Sequence, residues 1–314
     1  MKDRARTGKN RKSRDGQSAS AGIYSTTMKK RGLLVPLAGV AVAVIWGLTF
    51  LSTKVAVVEL KPMTLALMRF VIATLLLPSI AWLSRTSLAI RWRDVPLLVA
   101  SGFMGITLYF FFENNGIMRL SASESSIIVG TIPVLTLLVD ILVYRRKINP
   151  AVMAGILLSF VGVTLIVIRS EAAKASPGGY FFMTGAALSW VVYTFITKPV
   201  AGKYSLLSIT FWQIFFGMVG CIPFALLEGQ VIARLSFPVI LNVLFLGILA
   251  SAVGYWLYVL VLDKLGASRS SVFINLIPVV SVVTSFIVLG ERLAPLQLAG
   301  GAAAIFGVYL ATSR

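Results

Sequence analysis

A succession of long apolar runs restricts this chain more than anything else in its sequence. From about Leu33 onward the sequence reads as ten apolar stretches bounded by charges, Pro and Gly: 33–58, 62–84, 95–116, 122–144, 150–168, 179–199, 205–227, 237–262, 268–289 and 294–312. Each is close to the roughly 20 helical residues that cross about 30 Å of hydrocarbon. Hydrocarbon offers no partner to backbone N–H and C=O groups, so such runs are satisfied only as helices. The pattern predicts an all-α membrane protein of ten transmembrane helices joined by short connections. No stretch is left for a soluble domain, so the chain must act within the membrane or at its faces.

Composition narrows the chemistry. Hydrophobic residues make up 58% of the chain and charged residues 13%, against about 25% charged in an ordinary soluble domain. The chain has no His and one Cys, Cys221, which rules out His-based triads, Cys/His zinc sites, His-ligated haem and internal disulfides. Asp140 is the only Asp inside a run, so a catalytic aspartate pair is missing, as is a Gly-rich phosphate loop. An enzyme is therefore not expected, and neither a cofactor nor a metal is implied.

The net charge of +18 is unevenly placed. Residues 1–32 carry ten Lys/Arg against Asp3 and Asp15 and read as a disordered basic tail. Residues 1–27 are either a dispensable extension or an arm for anionic lipid; nucleic acid is not an expected partner. The first run is longer than a signal-peptide core and has no small-residue cleavage site after it, so it is expected to stay in the mature chain. Sorted onto the two faces that ten spans define, the face holding both termini collects 21 Lys/Arg and the other collects six. The basic excess places both termini in the cytoplasm of a multi-pass protein of the cell's inner membrane. The expected partners are a small-molecule substrate, the lipid bilayer and protons, and the chain is expected to be a monomer or homodimer.

An internal repeat organises the chain. Ser121 to Leu165 matches Gly266 to Leu310 without gaps at an offset of 145, with 14 of 45 positions identical. Ala122/Ala267, Ser123/Ser268, Ser125/Ser270, Ser126/Ser271, Pro133/Pro278, Gly155/Gly300 and Gly162/Gly307 are in register. Upstream, at an offset of 144, Trp46 corresponds to Trp190, Lys54 to Lys198 and Arg69 to Gln213. The expected units are residues 33–169 and 178–314. Because each holds an odd number of spans, five, the second must run inverted to the first, around a central cavity. Inverted repeats are a signature of secondary transporters that rock about a midplane site; a passive channel or facilitator is the alternative.

These residues resemble the ten-span EamA-type permeases of the drug/metabolite transporter superfamily. The resemblance covers about residues 33–312. It rests on Trp46-Gly47 with Lys54, on Pro62 and Arg69-Phe70 opening span two, on Ala-Ser-x-Ser-Ser leading to Pro133 and Pro278, and on Gly290-Glu291-Arg292 before the last span. It implies export of amino acids, related metabolites or toxic organic compounds, and peripheral fifth and tenth spans that support packing or dimerisation. One departure stands out: the Gly-Glu that ends span nine is Arg145-Arg146 at the matching end of span four.

Ionisable groups at membrane depth are expensive, so each is a candidate functional residue. Lys54 and Lys198 lie near span ends, where snorkelling accounts for them, and Asp140 lies one turn from Arg145 and Arg146. Arg69 and Glu113 occupy comparable outer-half positions of spans two and three. They are read either as a structural salt bridge or as a coupling pair in which Arg69 orients Glu113 to take a proton from outside. The candidate substrate-binding residues are Trp46, Phe50, Tyr109, Asn114, Trp190, Tyr193, Gln213, Tyr255, Tyr258 and Asn275, which could stack on a ligand or hydrogen-bond it. Packing within the bundle is the competing role for each of them. Pro133 and Pro278, at symmetric mid-span positions, are candidate hinges. The small-residue rows Ala151/Gly155/Ser159 and Ala299/Ala303/Gly307 are expected at close helix contacts.

Overall fold

A computed structural model describes residues 34–49, 51–53, 55–120, 125, 128–167, 176–232, 234–289 and 295–313. All regular structure among them is helical. Seven helices are long and apolar enough to cross a membrane: α1 (Leu34–Thr53), α2 (Pro62–Leu83), α3 (Trp92–Ile117), α6 (Pro177–Thr197), α7 (Leu206–Glu228), α8 (Phe237–Leu265) and α10 (Pro295–Thr312). Three shorter apolar helices are interleaved with them: α4 (Ile128–Leu142), α5 (Pro150–Ile166) and α9 (Ala267–Val280), the last continued by helical backbone to Leu289. The basic tail, Phe50, Lys54, Ser121 to Glu124 with Ser126, and Gly290-Glu291-Arg292 lie outside the described residues.

Helix ends follow local chemistry. Pro62 opens α2, where a missing N–H costs nothing. Its N-cap residue Lys61 supplies no side-chain cap. Instead the Glu228 carboxylate, at the end of α7, accepts the N–H groups of Met63 and Thr64 at 2.8 Å each and the Thr64 hydroxyl at 2.9 Å. An anion at a helix N-terminus is doubly suited to the unsatisfied donors and to the helix dipole. Ser205 caps α7 by accepting the Ser208 N–H at 3.0 Å, and Gly229, at φ 58°, ends that helix in the left-handed region.

Two faces are defined by these connections. On one, the Glu228 face, Lys61 donates to the Glu228 carbonyl, Gln230 Nε2 donates to the Glu59 carbonyl at 2.6 Å, and the Ser236 N–H donates to the Glu59 carboxylate at 2.9 Å. On the other, the Asp94 face, Asp94 accepts Tyr204 Oη at 2.6 Å and pairs with Lys203 at 3.1 Å, and Trp212 Nε1 donates to the Leu88 carbonyl at 2.8 Å. The first set ties the start of α2 and the connection before it to the end of α7 and the connection to α8, and the second ties the α2–α3 connection and the start of α3 to α7 and the connection before it.

The α5/α10 pair is the closest helix contact. A Cβ at Gly155 would lie 2.6 Å from the Gly307 carbonyl and the Ala311 N, and one at Gly162 would lie 2.4 Å from Ala304 N. Reciprocally, Gly300 faces the Gly162 carbonyl at 2.7 Å and Gly307 faces Ser159 N at 2.5 Å. Rising numbers on one helix meet falling numbers on the other, so the pair is antiparallel. The row on α10 is Gly300/Ala304/Gly307/Ala311 and not Ala299/Ala303/Gly307: Ala299 is exposed and Ala303 only half-buried. The helix is rotated so that its glycines, which let backbones approach, meet those of α5.

Both α3 and α8 are interrupted by π-helical turns, at Phe103–Leu108 and Leu246–Val253. The segments match at the offset of 144 found in sequence. A π turn displaces carbonyls from the i→i−4 ladder and is frequent at functional sites. In α3 the Gly105 carbonyl accepts Tyr255 Oη at 2.9 Å, and in α8 the Ala250 carbonyl accepts Trp46 Nε1 at 3.0 Å. Pro133 and Pro278 sit in the first turn of their α-helical segments, after a turn at Thr131 and a 3-10 stretch at Val272–Leu276 respectively. Pro78 in α2 and Pro223 in α7 lie deep within uninterrupted α-helix.

Candidate functional site

A cavity of about 460 Å³ lies among α1, α2, α3, α4, α6, α8 and α9. Its floor is aromatic and aliphatic. Trp46 and Trp190 meet edge-to-face at 5.2 Å, Tyr255 lies 5.7 Å from Trp46, and Tyr109 lies 5.0 Å from Trp190. Carbonyls within the two π turns hold Tyr255 and Trp46 by their polar tips, and both side chains line the cavity. Three pairs in this lining are related by the repeat: Trp46 with Trp190, Val129 with Ile274, and Ile132 with Ile277.

The walls are not symmetric. Arg69, from α2, is 6% exposed, donates Nε to Ser251 Oγ at 2.9 Å and stacks over Phe110 at 4.7 Å. Glu113, from α3, accepts Tyr109 Oη at 2.8 Å. Both line the cavity. Among the described residues they form no ion pair within 4.0 Å, so the direct salt bridge considered from sequence is absent. Asn114 also lines the cavity and is held by donation from Nδ2 to the Pro62 carbonyl at 3.0 Å.

The remaining candidates lie behind the wall. Gln213 Nε2 donates to Ser101 Oγ at 3.1 Å and Thr197 Oγ1 at 2.8 Å, while its oxygen accepts Tyr193 Oη at 3.3 Å. The Tyr258 hydroxyl accepts Trp190 Nε1 at 3.2 Å and lies 3.1 Å from Thr194 Oγ1. Asn275 bridges α9 to α5 through Ser159 Oγ at 2.8 Å. None of Tyr193, Gln213, Tyr258 and Asn275 lines this cavity. These four make hydrogen bonds between helices, where polar side chains in a bundle core find partners, although the Asn275 Oδ1 has none among the described residues. Phe50 lies outside the described residues. Sequence reasoning missed Thr49, Thr53, Ile274 and Ile277 in the lining and Ser251 as the partner of Arg69. The repeat could have signalled the two Ile residues, since Ile277 stands opposite Ile132.

Among the described residues the cavity lining reaches one face. Its lining runs from Arg69 and Tyr255 in mid-helix to Val57, Pro62, Met118 and Leu120 at the Glu228 face. At that face, in the connection between α1 and α2, hydrogen bonds from Ser236 hold the Glu59 carboxyl below its usual range. Toward the Asp94 face the described residues beyond the lining are packed against one another. The Tyr193/Gln213 and Trp190/Tyr258 contacts fill the path, and below them Arg146 Nη1 lies 3.3 Å from Asp140, whose other oxygen accepts the Ser268 hydroxyl. Tyr144 stacks on Phe195 at 5.0 Å.

Several known proteins are similar to this chain along most of its length. An "Uncharacterized transporter" of Archaeoglobus fulgidus is 30% identical over 269 residues, covering 86% of this chain and 95% of that protein. A relative in Streptantibioticus cattleyicolor, named a probable terminal-alkyne amino-acid exporter, is 28% identical over 71% of this chain and 75% of its own length. One in Escherichia coli, named a probable amino-acid metabolite efflux pump, is 25% identical over 90% and 94%. A crystal structure covering 88% of this chain and 98% of its own aligns with a TM-score of 0.75 at 19% identity, which shows a shared fold. The EamA-like transporter profile matches twice, over residues 33–168 and 177–313. With both halves matched and apolar helices enclosing an aromatic cavity, the chain belongs to the EamA-like transporter family.

Proposed function

We propose that this protein is a secondary transporter that exports amino acids or related small metabolites across the cell's inner membrane by alternating access. It would do so as two inverted five-helix repeats, 33–169 and 178–314, with both termini and the Asp94 face in the cytoplasm. The single observation that carries this reading is the one-sided cavity: its floor is built from repeat-related pairs, it is open toward the Glu228 face, and toward the other the described residues are packed against one another. A carrier must have such a state, and the exchange of roles between two similar halves supplies the opposite one. A channel in its conducting state needs a path to both faces, and none is lined by the described residues. The paired π turns and the twofold profile match support the inverted repeat, and the names of the Streptantibioticus and Escherichia relatives support the cargo class. In this reading Glu113, oriented through Tyr109 and facing Arg69 across the cavity, is the coupling carboxylate. Pro133 and Pro278, each where irregular backbone gives way to α-helix, are hinges. No catalytic step is assigned to the chain.

Proteoliposome uptake of labelled amino acids, with and without a pH gradient, tests this directly. Saturable counterflow is expected, with gradient-driven accumulation lost in Glu113→Gln. Saturable exchange indifferent to the gradient would remove the coupling role from Glu113. Flux without saturation would sink the carrier reading.

A further inference from the structure

We propose that the cavity binds its cargo as a zwitterion, with the substrate's carboxylate on the Arg69 guanidinium and its ammonium on Glu113. This inference rests on the amino-acid transport reading above and specifies what that site recognises. Each of the two charged groups is only half-satisfied by the protein. Arg69 gives Nε to Ser251 and lays its guanidinium over the Phe110 and Phe70 rings at 4.7 and 5.3 Å. Among the described residues its Nη groups have no hydrogen-bond partner, although the side chain is 6% exposed and lines the cavity. An Nη edge offers the fork of donors that fits a carboxylate. One Glu113 oxygen accepts Tyr109 Oη, and the other has no hydrogen-bond partner among the described residues.

Two opposite charges facing one cavity without pairing select against a singly charged ligand. An anion would satisfy Arg69 and be repelled by Glu113, and a cation would do the reverse; a molecule carrying both charges compensates both. The rest of the lining, with Trp46, Trp190, Ile274 and Ile277, takes an apolar side chain, and the volume lies within the about 300–1,000 Å³ of small-molecule sites. At the offset of 144, Gln213 stands where Arg69 does and Leu257 where Glu113 does, so the matching positions of the other half are neutral.

The test is binding of phenylalanine, phenylalaninamide and N-acetylphenylalanine to the purified full-length protein in nanodiscs, read by tryptophan fluorescence, alongside phenylalanine counterflow in proteoliposomes. The amide lacks the carboxylate and the N-acetyl compound lacks the ammonium. Wild type is expected to bind both analogues about tenfold or more weakly than phenylalanine. Arg69→Gln should bind phenylalanine no better than the amide, while Arg69→Lys keeps part of that preference. Glu113→Gln should lose only the preference over the N-acetyl compound. Saturable counterflow with wild-type affinities equal across the three ligands would overturn the zwitterion site and leave the transporter reading standing. A uniform weakening of all three ligands in each variant, the pattern of a purely structural role, would overturn the site in the same way. Absence of binding and counterflow for phenylalanine and every other amino acid tried would overturn both.

Discussion

Adjacent glycines on α10 should respond to the same substitution with opposite signs. Gly300 faces α5: an added Cβ would lie 2.7 Å from the Gly162 carbonyl and 2.9 Å from Ile166 N, both backbone atoms that cannot rotate away. Gly301, one residue on, meets among the described residues only Val279 Cγ1 at 3.8 Å, an ordinary contact. In either case Ala is the better helix former by about 1 kcal/mol. At Gly300 the helices must separate by a sizeable fraction of an ångström, and overpacking of this kind costs about 1–3 kcal/mol. Gly300→Ala should therefore lower the midpoint of thermal unfolding in mild detergent, and Gly301→Ala should leave it unchanged or raise it. Gly162→Ala, whose Cβ would meet Ala304 N at 2.4 Å, should behave like Gly300→Ala. Equal midpoints for the two neighbouring variants would refute the backbone-to-backbone seam as the reason those glycines are needed.

Two further outcomes follow from local chemistry. Tyr255→Phe removes the hydroxyl that donates to the Gly105 carbonyl in the π turn of α3, so it should cost about 1–3 kcal/mol of stability; an unchanged unfolding midpoint would show that this carbonyl does not depend on the hydroxyl. The Glu59 carboxyl titrates below its usual value because Ser236 binds its charged form. Its contribution is therefore full above the ordinary glutamate value of about 4.3 and is lost as pH falls through the lower folded value. Amide exchange at Ser236, whose N–H donates to that carboxylate at 2.9 Å, should lose protection in that acid range in wild type and show no such step in Glu59→Gln.

Hydropathy made the long helices legible, because a span must be apolar along its length whatever it packs against. It left the rotation of each helix unmarked. A helix apolar on every side has no amphipathic phase, so nothing in the sequence distinguished Tyr255, on the cavity wall, from Tyr258, one turn away and bonded to Trp190 behind it. For the same reason the α10 row holds at Gly307 but shifts from Ala299 and Ala303 to Gly300 and Ala304. Charge was more informative. Arg69 and Glu113 stood out as costly at membrane depth, and both face the cavity, although the Phe110 ring and Ser251 that hold Arg69 apart from Glu113 come from other helices and had no sequence signal. The π turns were equally silent, since Phe103–Leu108 is composed of ordinary helix-compatible residues.

The seam between α5 and α10 is reciprocal: Gly155 meets Gly307 as Gly300 meets Gly162, and Ala311 stands to Gly155 as Ile166 does to Gly300. Swapping the two helices maps the contact onto itself. Any motion that trades the conformations of two such halves has this seam as its invariant, a place where distances are conserved while those across the cavity mouth change. Spin labels on the exposed sides of α5 and α10 would then supply a fixed ruler inside the moving molecule, against which the opening of one face and the closing of the other could be measured.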